Sequence, residues 1–150
     1  MLHGIHPALS GDLLRALDHL GHGETLLVCD GNYPAHARGE LVLDVALDAP
    51  VVVGAVRTLV PLDTYEGPAV HLMGAVAGDD EPHEVRRALL RAVAAPRNRV
   101  EALERHAFYD LAATARLVVR TAETRPYGNL LMRKGVVSPT AALDTGRGPA

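Results

Sequence analysis

At 150 residues and 48% apolar side chains, the chain can hold one domain with a buried core. Its formal net charge of −3 comes from interleaved acids and bases, which argues against the one-sided basic face of a nucleic-acid binder. No run of eighteen apolar residues occurs and residues 1–20 carry no signal-peptide pattern, so neither a membrane span nor a secretory leader is expected.

In chain order, Ser10 reads as a helix N-cap, with Leu13, Leu14, Leu17 and Leu20 on one face and Gly21 as a left-handed stop. Thr25 to Cys29 is a short apolar run whose flanking turn signals favour a strand, closed by Asp30. Cys29 is the only cysteine, so no intrachain disulfide can form, and a reducing, cytoplasmic setting is expected. Gly31 to Glu40, with two glycines and a proline, reads as a loop, and Leu41 to Val45 as a second strand. Asp48 and Pro50 start a helix reaching about Val60, although its valines are mediocre helix formers.

Ala69 to Ala77 reads as a buried strand, and Asp80-Glu81-Pro82 as the start of a helix to about Ala94. A strand at Val100 to Leu103, a helix at Ala107 to Ala115, and strands at Leu117 to Thr121 and Asn129 to Arg133 complete the pattern. Strands alternating with helices predict a single-domain α/β layered fold over residues 1–137, with a largely parallel central sheet flanked by helices. Residues 138–150, rich in Pro, Gly, Thr and Ala, are expected to form a disordered tail. Ligands of such sheets gather at the carboxyl ends of strands, where Asp30 falls.

Two segments carry most of the chemistry. In Gly21-His22-Gly23, an imidazole that titrates near pH ~6.5 can both donate and accept protons at neutral pH. A histidine just past a helix end is also favoured by the helix dipole alone. Asp30 is expected to return close to His22, either orienting it and binding hydroxyls or closing an Asx-turn. His36, in the same loop, is within reach of the same pocket, but the solvated-histidine reading is favoured. Tyr127-Gly128-Asn129 offers a phenol, an unhindered backbone and an amide suited to diols, although local sequence logic favours an ordinary turn leading into a strand. His3/His6 and His19/His22 have three-residue spacing but no Cys partners and no His-Glu-x-x-His motif, so no metal is expected. Neither a phosphate loop nor a dinucleotide fingerprint is present.

The order and spacing of several pieces resemble the RbsD/FucU family of fucose mutarotases and ribose pyranases, nearer the fucose branch. The pieces are Met1-Leu2-His3-Gly4-Ile5, Gly21-His22-Gly23, Cys29-Asp30, Tyr33-Pro34-Ala35-His36, Pro61-Leu62-Asp63-Thr64-Tyr65, Phe108-Tyr109-Asp110 and Tyr127-Gly128-Asn129 through Lys134-Gly135-Val136. The resemblance implies a cofactor-free isomerase that interconverts sugar anomers, with His22 as acid/base group and Asp30, Tyr127, Gly128 and Asn129 on the sugar. It also implies a ring-like homo-oligomer, typically a decamer, with sites near subunit contacts. A ribose pyranase and a non-catalytic sugar-binding protein linked to sugar uptake are the alternatives. One departure stands out: Leu111 occupies a position where the resemblance calls for a sugar-contacting arginine, for which Arg105, Arg116 or Arg120 are the available substitutes.

Overall fold

A computed structural model describes residues 2–139; Met1 and residues 140–150, which include most of the expected tail, lie outside the described residues. Its strands are β1 (Thr25–Cys29), β2 (Val42–Val45), β3 (Val70–Met73), β4 (Val100–Leu103), β5 (Leu117–Thr121) and β6 (Leu130–Arg133). Its helices are α1 (Gly11–His19), α2 (Ala35–Arg38), α3 (Ala49–Arg57), α4 (His83–Val93) and α5 (Arg105–Ala112). The strands form one sheet in the order β2-β5-β1-β6-β3-β4. β1 and β2 run parallel to β5, and β3 parallel to β4, while β6 is antiparallel to both β1 and β3. The sheet is therefore largely parallel, as expected, with one reversed strand at its centre.

β1 is apolar along its length because both its faces are covered, the pattern of strands central in α/β sheets. Leu26 and Val28 join Leu117, Val119, Leu130, Met132, Val70 and Leu72 on the face under α1, α3 and α4. Leu27, Cys29, Val118, Leu131 and Met73 face the other way, against Ala35, Phe108 and Ala112 of α2 and α5. α3 forms despite its valines since Val52, Val53 and Val56 are fully buried. Packing of an apolar face outweighs the few tenths of a kcal/mol each β-branched residue costs.

The end of α1 differs from expectation. Ser10 does cap its start, accepting from the Leu13 amide at 3.2 Å. At its end, however, Leu20 is extended and Gly21 does not adopt a left-handed backbone. The carbonyls of Leu17, which also accepts from the Leu20 amide, and of Leu20 instead accept from the Lys134 ammonium, the kind of cation that helix C-termini attract. The glycine that does require its freedom is Gly23, at φ +82°. The loop expected at Gly31 to Glu40 also contains the short helix α2.

This topology gathers the carboxyl ends of β1, β3, β4 and β5 on one edge, beside the amino end of the reversed β6. The register fixes it: Val28 pairs with Leu130 and Leu72 with Leu130, so Asn129 emerges where Asp30 and Met73 do. The opposite edge receives the α1–β1 turn with His22, joined to β6 where the Gly23 amide donates to the Lys134 carbonyl at 2.8 Å. Among the described residues no helix is long and apolar enough to cross a membrane.

Candidate active site

At the carboxyl edge, Asp30 and Asn129 form a reciprocal pair. The Asp30 amide donates to Asn129 Oδ1 and Asn129 Nδ2 donates to Asp30 Oδ2, each at 3.0 Å. Asp30 Oδ1 accepts from the amides of Asn32 and Tyr33 at 2.9 and 3.0 Å, so Asp30 closes the expected Asx-turn while lining the cleft at this edge. Burial at 3% exposure pushes the Asp30 carboxyl up from its ordinary range, and the donors from Asn32, Tyr33, Asn129 and Gly128 pull it back.

Beside this pair, Tyr127 takes a left-handed backbone at φ +64°. Its hydroxyl donates to Asp79 and accepts from the Val76 amide. The Asp79 hydrogen bond, made to the neutral phenol, raises the Tyr127 pKa. Gly128 is required by space: a Cβ there would lie 2.7 Å from Glu123 Cγ and 3.3 Å from Asp30 Cβ. Tyr33 and Tyr109 stack at 5.4 Å, with the Arg38 guanidinium 4.7 Å from the Tyr109 ring centroid.

These groups open on a cleft of about 210 Å3 lined by Asp30, Tyr33, Met73, Arg105, Tyr127 and Asn129, among others. That is below the ~300–1,000 Å3 of pockets for drug-sized molecules and scaled to a smaller ligand. Its lining combines Met73 and the rings of Tyr33 and Tyr109 with carboxylate, amide, phenol and guanidinium groups. Such a set pairs donors and acceptors with the hydroxyls of a polyol.

His22 is elsewhere. It precedes β1, whereas Asp30 follows it, and five extended residues at ~3.3 Å each separate their strand ends by roughly 16 Å. The expectation that the chain returns Asp30 close to His22 is therefore corrected: a continuous strand cannot bring its two ends together. The carboxylate beside His22 belongs to Asp63, whose Oδ1 lies 3.3 Å from Nε2. Asp63 is 4% exposed, accepts from the Tyr65 amide at 3.0 Å and from Arg133 Nε at 2.7 Å. The Tyr65 amide, with His22 and Arg133, holds its carboxyl down at about 2 despite burial. An ionised carboxylate thus orients an imidazole that is itself 48% exposed, with the Tyr65 ring edge-on at 5.2 Å.

The other expectations resolve as follows. His36 sits on α2, 60% exposed and 3.2 Å from Asp44, outside the cleft, in keeping with a solvated histidine. Leu111 is half-buried, packs against the apolar cluster under α5 and does not line the cleft. Of the three arginines named as substitutes, only Arg105 lines the cleft. Arg116 pairs with Glu24 and Glu40, and Arg120 with Asp44 and the Gly31 carbonyl. Asp63, Asp79 and Met73 were given no role by the sequence; Asp63 lies in one of the pieces that carry the resemblance, but its partner His22 is 41 positions away, and Asp79 and Met73 have no local motif to mark them. Among the described residues, no group of three or more His, Cys, Asp or Glu side chains is arranged to hold a metal ion.

The model of the RbsD / FucU transport protein family matches residues 3–137. The chain belongs to this family. Its relatives include the L-fucose mutarotase of Glaesserella parasuis, 38% identical over 140 residues, covering 91% of this chain and 96% of the relative. The L-fucose mutarotase of Actinobacillus pleuropneumoniae serotype 5b is 36% identical over 140 residues, covering 91% and 97%. Among solved structures, the fucose mutarotase of Streptococcus pneumoniae in complex with L-fucose superposes at a TM-score of 0.87 with 29% identity, covering 91% of this chain and 100% of that one. Membership in the RbsD / FucU family accords with the six-stranded sheet and its five helices.

Proposed function

We propose that this protein is a cofactor-independent monosaccharide mutarotase, interconverting the anomers of L-fucose or a related sugar. The observation that carries this reading is the cleft at the carboxyl edge of the sheet, where Asp30, Asn129, Tyr127 and Arg105 converge on a volume of monosaccharide size. The similarity to proteins named L-fucose mutarotase over nearly their whole length supports it.

In the proposed reaction one proton reaches the ring oxygen and another leaves the anomeric hydroxyl. The hemiacetal C–O bond opens, the aldehyde rotates, and the hydroxyl re-adds to its other face. His22 supplies the proton transfer: the ionised Asp63 holds Nε2 and steadies the imidazolium, while the other ring nitrogen exchanges protons with the sugar. Asp30, Asn129 and Tyr127 hold the sugar hydroxyls, the Gly128 backbone lets them close up, and Arg105 adds fixed donors.

Since β1 keeps His22 and Asp30 apart within one chain, the working site is completed between subunits, with His22 of the partner subunit placed at the cleft. A ring-like homo-oligomer, such as a decamer, provides this contact at every interface. Under the same reading the enzyme acts in the cytoplasm, a reducing setting in which the buried Cys29 thiol stays free.

Magnetisation-transfer NMR on equilibrated L-fucose and on D-ribose, with wild type and His22→Ala, tests the proposal. Accelerated anomer exchange of L-fucose that disappears in the variant supports it. Acceleration of D-ribose alone reassigns the protein as a pyranase. Binding without acceleration of either sugar reduces it to a sugar-binding protein.

A further inference from the structure

Glu123 is 2% exposed, carries a carboxylate, and does not line the cleft. A buried charge of this kind persists only where it is fully paired. Its Oε1 accepts from the Arg125 amide and from Arg125 Nε, both at 2.9 Å, and its Oε2 accepts from Arg125 Nη2 at 2.8 Å. One guanidinium thus grips both carboxylate oxygens, the fork geometry available to arginine but not to lysine. This pairing holds the Glu123 carboxyl below its ordinary value against the effect of burial.

The backbone of Glu123 is tied to the end of β1. Its carbonyl accepts from the Gly31 amide at 2.9 Å, and its amide donates to Thr121 Oγ1 at 3.3 Å. Thr121 Oγ1 in turn donates to the Cys29 carbonyl at 2.7 Å. Its side chain is the floor of the sugar-facing turn, for Gly128 leaves no room for a Cβ between Glu123 Cγ and Asp30 Cβ. Glu123 is thus clamped to Arg125 on one side and packed under Tyr127-Gly128-Asn129 on the other.

We propose that the Glu123–Arg125 clamp is a positioning device that sets the height and aim of the Tyr127-Gly128-Asn129 turn, and so governs sugar affinity without touching the sugar. The inference rests on the mutarotase reading for its ligand, but its geometry lies wholly within the chain. Glu123 stabilises the bound sugar through Asn129 and Tyr127, while proton transfer belongs to His22 at the other edge. Loss of the clamp therefore raises KM and leaves kcat in place.

The test compares full-length wild type, Glu123→Gln, Arg125→Gln and Arg125→Lys in two measurements. The first is the dependence of anomer exchange on L-fucose concentration. The second is backbone hydrogen exchange of the segment containing Asp30 and Gly31, whose amides donate to Asn129 and Glu123. Misplacing binding groups by about 1 Å can cost ~100-fold, so KM is expected to rise at least about tenfold in Glu123→Gln and Arg125→Gln, with kcat within about twofold. Arg125→Lys, which keeps the charge but not the fork, should fall between them and wild type. Hydrogen exchange at Asp30 and Gly31 should quicken in the same order.

If Glu123→Gln does not fold, Arg125→Gln carries the test, because Arg125 is the more exposed partner. Folded variants with wild-type KM and wild-type hydrogen exchange overturn the proposal, as does a loss confined to kcat. If wild type turns over neither sugar, the mutarotase reading fails, and unchanged or quickened hydrogen exchange still decides whether the clamp holds the turn.

Discussion

The two ends of β1 hold polar groups under opposite conditions. At the carboxyl end, Asp30 and Asn129 are 3% and 4% exposed and spend most of their hydrogen-bonding capacity on each other and on nearby amides. At the amino end, His22 is 48% exposed and is held by a single carboxylate contact, the burial falling instead on its partner Asp63. Groups that must recognise neutral hydroxyls gain from being fixed beforehand, since ordering them on binding costs affinity. A group that exchanges protons needs access to its substrate and a stable counter-charge, and under the proposed function His22 and Asp63 divide that work. β1 keeps the two sets of groups physically apart in one chain.

The largest expected effect separates the two ends directly. His22→Ala should slow anomer exchange by about 10²–10⁴-fold, the usual worth of a positioned acid/base group. Sugar binding, followed by saturation-transfer difference NMR, should persist. Loss of binding as well would show that both edges hold the sugar and erase the distinction. At the other end, Gly128→Ala drives a methyl into Glu123 and Asp30, and overpacking of that kind costs about 1–3 kcal/mol. Calorimetric sugar titration should show binding weakened far more than by any exposed substitution near His22.

The acid response sharpens the comparison, because the two carboxylates shift in opposite directions. Asp63 falls from 3.8 to about 2 on folding. Its contribution is therefore present above pH 3.8 and lost as pH falls through 2, and amounts to about 2 kcal/mol. Asp30 is raised, so its contribution is present below its unfolded value and is lost as pH rises through its folded one. Thermal unfolding from pH 5 to pH 2 should thus show a decline that Asp63→Asn flattens and Asp30→Asn does not. The smallest effect belongs to Tyr127→Phe, which removes one hydroxyl from a half-buried position. At about 0.5–1.5 kcal/mol per hydrogen bond, L-fucose affinity should drop up to about tenfold with kcat unchanged.

Local rules carried a large part of this structure. Ser10 caps α1 because a serine side chain reaches an amide three residues on, a contact contained in the sequence itself. Thr25 to Cys29 and Leu117 to Thr121 read as strands from their apolar runs and occur with those bounds. The arrangement of strands and helices implied the layered sheet, and the carboxyl ends of strands marked the cleft in which Asp30, Tyr127 and Asn129 meet. Each of these follows from interactions over a few residues or from a repeated periodicity.

What the tertiary structure alone decided involves partners far apart in the chain. Asp63 meets His22 across 41 positions because Leu62 bridges to Lys134, whose neighbour Arg133 then grips the same carboxylate. Gly21 looked like a helix stop, but Lys134 arrives from β6 to take the carbonyls that a left-handed glycine would otherwise have served. Arg105 faces the cleft because it starts α5 directly after the carboxyl end of β4. Arg116 precedes β5 at the opposite edge, and Arg120, near the carboxyl end of β5, is held by Asp44 and the Gly31 carbonyl. The eight positions from His22 to Asp30 suggested nearness, and a straight strand of 3.3 Å per residue made them distant. Spacing in sequence measures separation along the backbone; the sheet register decides which of those separations are closed.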